Sequence, residues 1–222
     1  MNPQETLDTF VRARYPIIGI VSHEETRVLA AISQLAGKKR RVAEWTYTTG
    51  LQGIPGISAD DYQEPSAALD WISKFDEEGS QTPTLFVIKD LHKIMTLDLR
   101  VVRFLRDIAA RFETRRHNLL LLSPSLDVPA DLEKQIALID WPLPDAEELG
   151  QILRQAENDL PSEIPVTLGE NGKREAVVQA LRGLTKTEAQ NVLKAAVVAI
   201  RELSDQVIPK KKKKKAQIIR KS

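Results

Sequence analysis

The sequence contains no cysteine, which excludes a disulfide framework, a thiolate metal site and a cysteine nucleophile. No run approaches the roughly 20 apolar residues of a membrane-spanning helix. Residues 1–14 lack the basic start and apolar centre of a secretory signal, so a cytoplasmic protein is expected. Histidine is scarce. His23, His92 and His117 could be imagined around a metal with Glu24 or Asp90, but they lack a tight ligand spacing such as His-Glu-x-x-His, and no metal site is expected. The stretch Ser22-His23-Glu24 also lacks the Gly-x-Ser-x-Gly frame of a nucleophile elbow, so no catalytic residue is assigned to it.

What is present is ordinary for a folded protein: 222 residues, 42% apolar and 28% charged. The charge is unevenly spread. Residues 209–222 hold eight of the 32 lysines and arginines and no acid, so the other 24 face 31 acids in the body of the chain. An acidic body does not suggest the distributed basic face of a nucleic-acid-binding domain. The run Lys210 to Lys215 reads as a solvated tail or linker that could also hold an anionic polymer or lipid by salt-sensitive contacts.

Hydrophobic patterning alternates between strand and helix. "IIGIV" (17–21), "LFVI" (85–88) and "NLLLLSPS" (118–125) are apolar runs of the kind buried on both sheet faces; 41–49 is β-rich and 136–144 supplies a further short strand. Between them, 3–14, 24–35, 65–75 and 97–112 place apolar residues at helical spacing. Residues 50–65 read as a surface loop; Gly50, Gly53 and Gly56 are spaced by three, but no Lys-Ser or Lys-Thr follows to make a phosphate cradle. Beyond Pro144 the pattern is helical only: 145–156 behind an acidic cap, 177–181, and 185–203 with Thr185 and Glu188 spaced as a capping box. The expected architecture is a three-layer parallel α/β sheet over 1–144, a small all-helical subdomain over 145–208 and a basic tail over 209–222.

Three segments carry a resemblance. "LFVIKDLHKI" looks like a Walker B strand, and "LLLLSPSLDVPADLEKQIALIDWPLPDAEELGQIL" looks like the stretch from sensor 1 to the helical lid of AAA ATPases. With "EETRVL", "WPLPD" and "QIIRKS", the chain is similar to the N-terminal portion of the cyanobacterial and plastid-encoded AAA-like ATPases, a conserved chloroplast reading-frame family. That resemblance implies an AAA-type sheet with a helical lid, ATP and Mg²⁺ as the family's cofactors, and a cytoplasmic or plastid-stromal location. It also implies that this is the first, degenerate module of a longer or split protein.

Degeneracy is read at four places. A phosphate cradle needs glycines, a lysine and a Ser or Thr, whereas the matching junction offers Ser22, His23, Glu24, Glu25 and Thr26. The acids there would repel a triphosphate, and Ser22 reads as a helix cap. In the Walker B position Lys89 replaces the magnesium-binding aspartate and Asp90 the catalytic glutamate; a shift of one residue restores Asp90 as ligand but leaves Leu91 as the base. Lys89-Asp90 also has a plain reading, a salt-linked strand end. Sensor 1 is replaced by Ser123, Pro124 or Ser125, and Glu133-Lys134-Gln135 stands where arginine fingers are usual. The expected function is assembly or regulation of an AAA ATPase partner, of a missing second module or of a homo-oligomer, with no cofactor for this chain. Alternatives are a nucleotide-binding ATPase subunit with unconventional contacts, and a nucleic-acid or membrane adaptor acting through the lysine tail.

Overall fold

A computed structural model describes residues 2–75, 82–169 and 172–205. The lysine run 210–215 lies outside the described residues. The chain divides into two units that meet between Pro142 and Leu143.

In the first unit, the apolar runs form β1 (Ile17–Val21), β2 (Arg41–Thr46), β4 (Thr84–Lys89), β5 (Asn118–Ser123) and β6 (Ile136–Asp140), joined by the short edge strand β3 (Gly50–Gln52). The sheet order is β3-β2-β4-β5-β1-β6, with every pair parallel except β2–β3. Successive side chains of a strand point to opposite faces, so β4 and β5 each feed two cores. Phe86, Ile88, Leu119 and Leu121 pack with α3 (Pro65–Lys74) and α5 (Leu99–Phe112). Leu85, Val87, Leu120 and Leu122 pack with α1 (Pro3–Arg12) and α2 (Glu25–Ala36). Helices thus cover both faces, which is why these strands read as unbroken apolar runs.

β3 corrects the loop expected over 50–65. Gly50 has φ +65, and a Cβ there would lie 1.8 Å from the Ala59 carbonyl oxygen, so the backbone folds back on itself at a distance only glycine allows. A short 3-10 turn, Ala59–Tyr62, closes the arm, and its Tyr62 carbonyl accepts the Trp45 indole N–H at 2.7 Å. The glycine spacing is thus tied to a hairpin in this arm. The helix expected from 97 begins at Leu99, because the Asp98 carboxylate accepts the Arg100 N–H at 2.8 Å and caps it there; a four-residue helix, α4 (His92–Met95), precedes it.

The second unit contains α6 (Ala146–Asn158), α7 (Lys173–Leu181) and α8 (Lys186–Ile200) around their own apolar core, including Leu149, Leu153, Val177, Leu193 and Ala196. Both N-terminal signals are made as capping boxes, Asp145 with Glu148 and Thr185 with Glu188. This unit is not wholly helical: α8 stops at Ile200, and Leu203 turns back to form a parallel bridge with Val166. The turn is made by Arg201 in a left-handed conformation, φ +51. Among the described residues no helix is long and apolar enough to cross a membrane.

Candidate functional site

β1 hands the chain to α2, which runs over one face toward β2, whereas the neighbouring β5 connects past β1 to β6 over the other face. Ligands in open α/β sheets collect where connections diverge in this way, beyond the strands' carboxyl ends. The sequence-derived candidates meet at that edge. The Ser22 N–H donates to the Ser123 carbonyl at 2.9 Å, the Asp90 N–H to the Leu122 carbonyl at 3.0 Å, and the Trp141 N–H to the Val21 carbonyl at 2.9 Å. Four strand ends are therefore tied by backbone bonds.

The turn into α2 is built differently from the expected serine cap. Ser22 is buried and its Oγ accepts the Glu24 N–H at 3.0 Å, but the cap residue is Glu24, and the helix begins at Glu25 without a side-chain cap bond. The Glu24 side chain is only 3% exposed, and Arg27 Nη1 donates to its carboxylate at 2.7 Å and to the Pro142 carbonyl at 2.6 Å. Arg27 is not among the residues that the sequence pattern singles out. Its signal was the spacing, since residues three apart on a helix are neighbours and Arg27 follows Glu24 by three. His23 and Thr26 are exposed.

Lys89, at the end of β4, donates to Glu25 Oε1 at 2.9 Å and to Glu44 Oε2 at 3.1 Å. Its side chain is 12% exposed, while those of Glu25 and Glu44 are 52% and 37% exposed. The alternation of the sheet explains the triad: Glu44 pairs in register with Val87, so Glu44 and Lys89 share the face covered by α2, whose first turn supplies Glu25. Glu44 was missed in the sequence. Its signal is an acid in "RVAEWT" on the opposite face to buried Ala43 and Trp45. Asp90 is exposed in a left-handed turn, φ +57, and the next residue, Leu91, is buried in the core. Ser123 is buried and its hydroxyl donates to the Ser125 carbonyl at 2.7 Å; Ser125 is exposed.

Burial works against the charge on Lys89, but the hydrogen bonds and charges of Glu25 and Glu44 outweigh it, and the pKa rises above the usual 10.5. A lysine pKa raised by folding contributes stability that is fully present below the unfolded value and is lost as pH climbs through the folded one. Relative to Lys89→Met, the native chain is expected to be about 1–2 kcal/mol more stable at pH 8. That gap should close as pH climbs above the ordinary lysine value of 10.5, as read by thermal melts of both proteins at rising alkaline pH. A gap independent of pH would mean that the Lys89 charge is not its cause.

One of the three histidines is placed well apart from this chemistry. His117 is buried at the opposite, amino end of β5, accepts the Thr84 N–H on Nδ1 at 3.0 Å and packs among Phe75, Phe86 and Phe112. Among the described residues no group of three metal-ligating side chains converges.

Known proteins share this plan. The model of the SpoVK-like AAA ATPase N-terminal domain matches residues 3–141, and that of the second domain of the same family matches residues 147–222. The AAA domain-containing protein ycf46 of Guillardia theta is 28% identical over 211 residues, which is 94% of this chain and 40% of that protein. This chain spans about two fifths of the length of the curated relatives it matches. Among solved structures, Caenorhabditis elegans PCH-2 superposes with a TM-score of 0.59 at 12% identity, covering 96% of this chain and 68% of that one. A chain of the HORMA:CdnC:Trip13 complex of Escherichia coli MS115-1 follows at 0.56 and 16%, covering 90% and 73%. At such identities these two structures speak for the fold alone.

Proposed function

The chain belongs to the SpoVK-like AAA ATPase family, and on that premise we propose that it is a module that does not hydrolyse ATP by itself and serves the assembly or regulation of an AAA ATPase partner. The observation that carries this reading is Lys89. In the register of the Walker B resemblance that sets Lys89 at the magnesium-binding aspartate, an ammonium group takes that place and is held by Glu25 and Glu44. A divalent cation is repelled by that ammonium, and a triphosphate is repelled by Glu25, which stands where the family presents glycine N–H groups to the phosphates. The family's cofactors are ATP and Mg²⁺, and this donor set does not fit them. The acids instead complete an internal ion-pair network that braces α2 against β2 and β4.

What the module retains is an AAA-type sheet unit and a separate helical unit, and the partner proposed for them is a second AAA module or another copy of the chain. Such a module would act in the cytoplasm or the plastid stroma.

The full chain is expected to release no phosphate from ATP above the buffer rate, and calorimetry with ATP and Mg²⁺ should give no saturable heat that depends on Asp90. Turnover abolished by Asp90→Ala would overturn the reading and establish an active ATPase subunit.

A further inference from the structure

At the opposite edge of the sheet, by the amino ends of the strands, a cleft of about 220 Å³ is lined by Val11, Arg12, Arg14, Arg40, Arg116 and Asn118. The arginines come from three places in the sequence: the end of α1, the turn between α2 and β2, and the turn before β5. Arg12 is paired with Asp8 at 3.5 Å. Among the described residues, no ion pair or hydrogen bond engages the side chains of Arg14, Arg40 or Arg116. Burial, then the positive charge of Arg116, hold the Arg40 pKa below its usual value against the pull of Asp8. Four arginines have thus been gathered in one concavity, and Asp8, paired with Arg12, is the acid beside them.

The backbone around Arg14 adds a second observation. α1 ends in a Schellman turn: the Arg14 N–H donates to the Val11 carbonyl at 3.2 Å and the Tyr15 N–H to the Phe10 carbonyl at 3.0 Å, with the Phe10 and Tyr15 rings stacked at 4.5 Å. Arg14 occupies its left-handed position, φ +61, which glycine fills most readily. An arginine there forgoes stability that glycine would supply and places a guanidinium at the cleft. Buried Asn118, whose amide donates to the Tyr15 carbonyl at 2.7 Å, ties β5 to this turn.

We propose that Arg14, Arg40 and Arg116 form a binding site for a compact phosphate anion of the pyrophosphate type. Guanidinium forks match phosphate oxygens in bidentate fashion, and three of them balance a multiply charged anion. The volume corresponds to about seven waters at ~30 Å³ each, below the ~300 Å³ at which pockets for larger organic ligands begin. The phosphoryl group therefore fits inside, and any organic portion of the ligand stays outside. Five-residue strands separate this cleft from Lys89 by about 17 Å, so the proposal is independent of the reading of the other edge.

The test is calorimetry on the full chain with inorganic pyrophosphate, inorganic phosphate and ATP, repeated with Arg14→Gly and Arg116→Gln. Pyrophosphate should bind more tightly than phosphate, and each variant should weaken it at least tenfold. Arg14→Gly should do so while leaving the melting temperature equal or higher, which separates loss of the site from loss of the fold. ATP binding that falls in parallel assigns the nucleotide's polyphosphate as the source, and binding of pyrophosphate without ATP assigns the free anion. No saturable pyrophosphate binding, or binding indifferent to both variants, overturns the proposal.

Discussion

Replacing Phe86 with alanine is expected to lower the unfolding free energy of the first unit by about 3–5 kcal/mol. Phe86 is fully buried near the middle of β4, a strand with a parallel neighbour on each side. Its ring meets Phe75 edge-on at 5.1 Å and lies 6.1 Å from Phe112 and 6.2 Å from His117. The residues beside it across the sheet are Ala43 and Leu119, and alanine has no side chain long enough to swing into the vacated space. The cavity term therefore adds to the lost transfer energy. All three tryptophans, Trp45, Trp71 and Trp141, belong to this unit, so urea titration followed by tryptophan fluorescence reads its unfolding without interference from the helical unit. A loss under about 2 kcal/mol would mean that the surrounding rings close over the gap.

Reversing the charge of Lys89 with glutamate should cost about 3 kcal/mol, a value set between two limits. Exposed pairs are worth about 0–1 kcal/mol, and breaking a buried pair costs about 3–5. Here the ammonium is mostly buried while both carboxylates reach solvent, and the substitution also sets three acids facing one another. Glu25 can relieve that repulsion by turning outward; Glu44, fixed on a strand between β3 and β4, has less room to do so. Adding Glu44→Lys to Lys89→Glu should recover about half the loss, since it restores one pair in reversed order. Chemical denaturation of the two single variants and the double variant measures the coupling. Additive effects would show that packing, and not charge, holds the end of β4. Neither variant is expected to gain ATP turnover, because the turn from β1 into α2 still lacks glycines and a lysine.

The elements whose limits were legible are those whose signal is local. β1 spans Ile17–Val21 as its apolar run suggested, Thr185 and Glu188 form the capping box that their spacing announced, and the acidic cap expected before α6 is Asp145. Errors fell where a distant backbone decides. The arm after β2 looked like a loop because β3 is three residues long and its pairing with β2 depends on how closely Gly50 approaches Ala59. Ser22 looked like the helix cap because Ser-x-x-x before an apolar face is a cap signal, but its N–H is taken up by Ser123 of β5, and the turn runs on to Glu24 before the helix starts.

Both candidate sites divide along the same line. The sequence by itself determined that the turn after β1 is acidic and that a lysine ends β4, because charge and side-chain length belong to the residue and not to its neighbours. Only the tertiary structure decided what those charges do. Parallel pairing of β2 with β4 brings Glu44 to Lys89 across 45 residues of chain, and the ends of α1, α2 and the turn before β5 bring Arg14, Arg40 and Arg116 around one cleft. Coulomb energy depends on separation in space, and no periodicity in the chain records which strands will lie side by side.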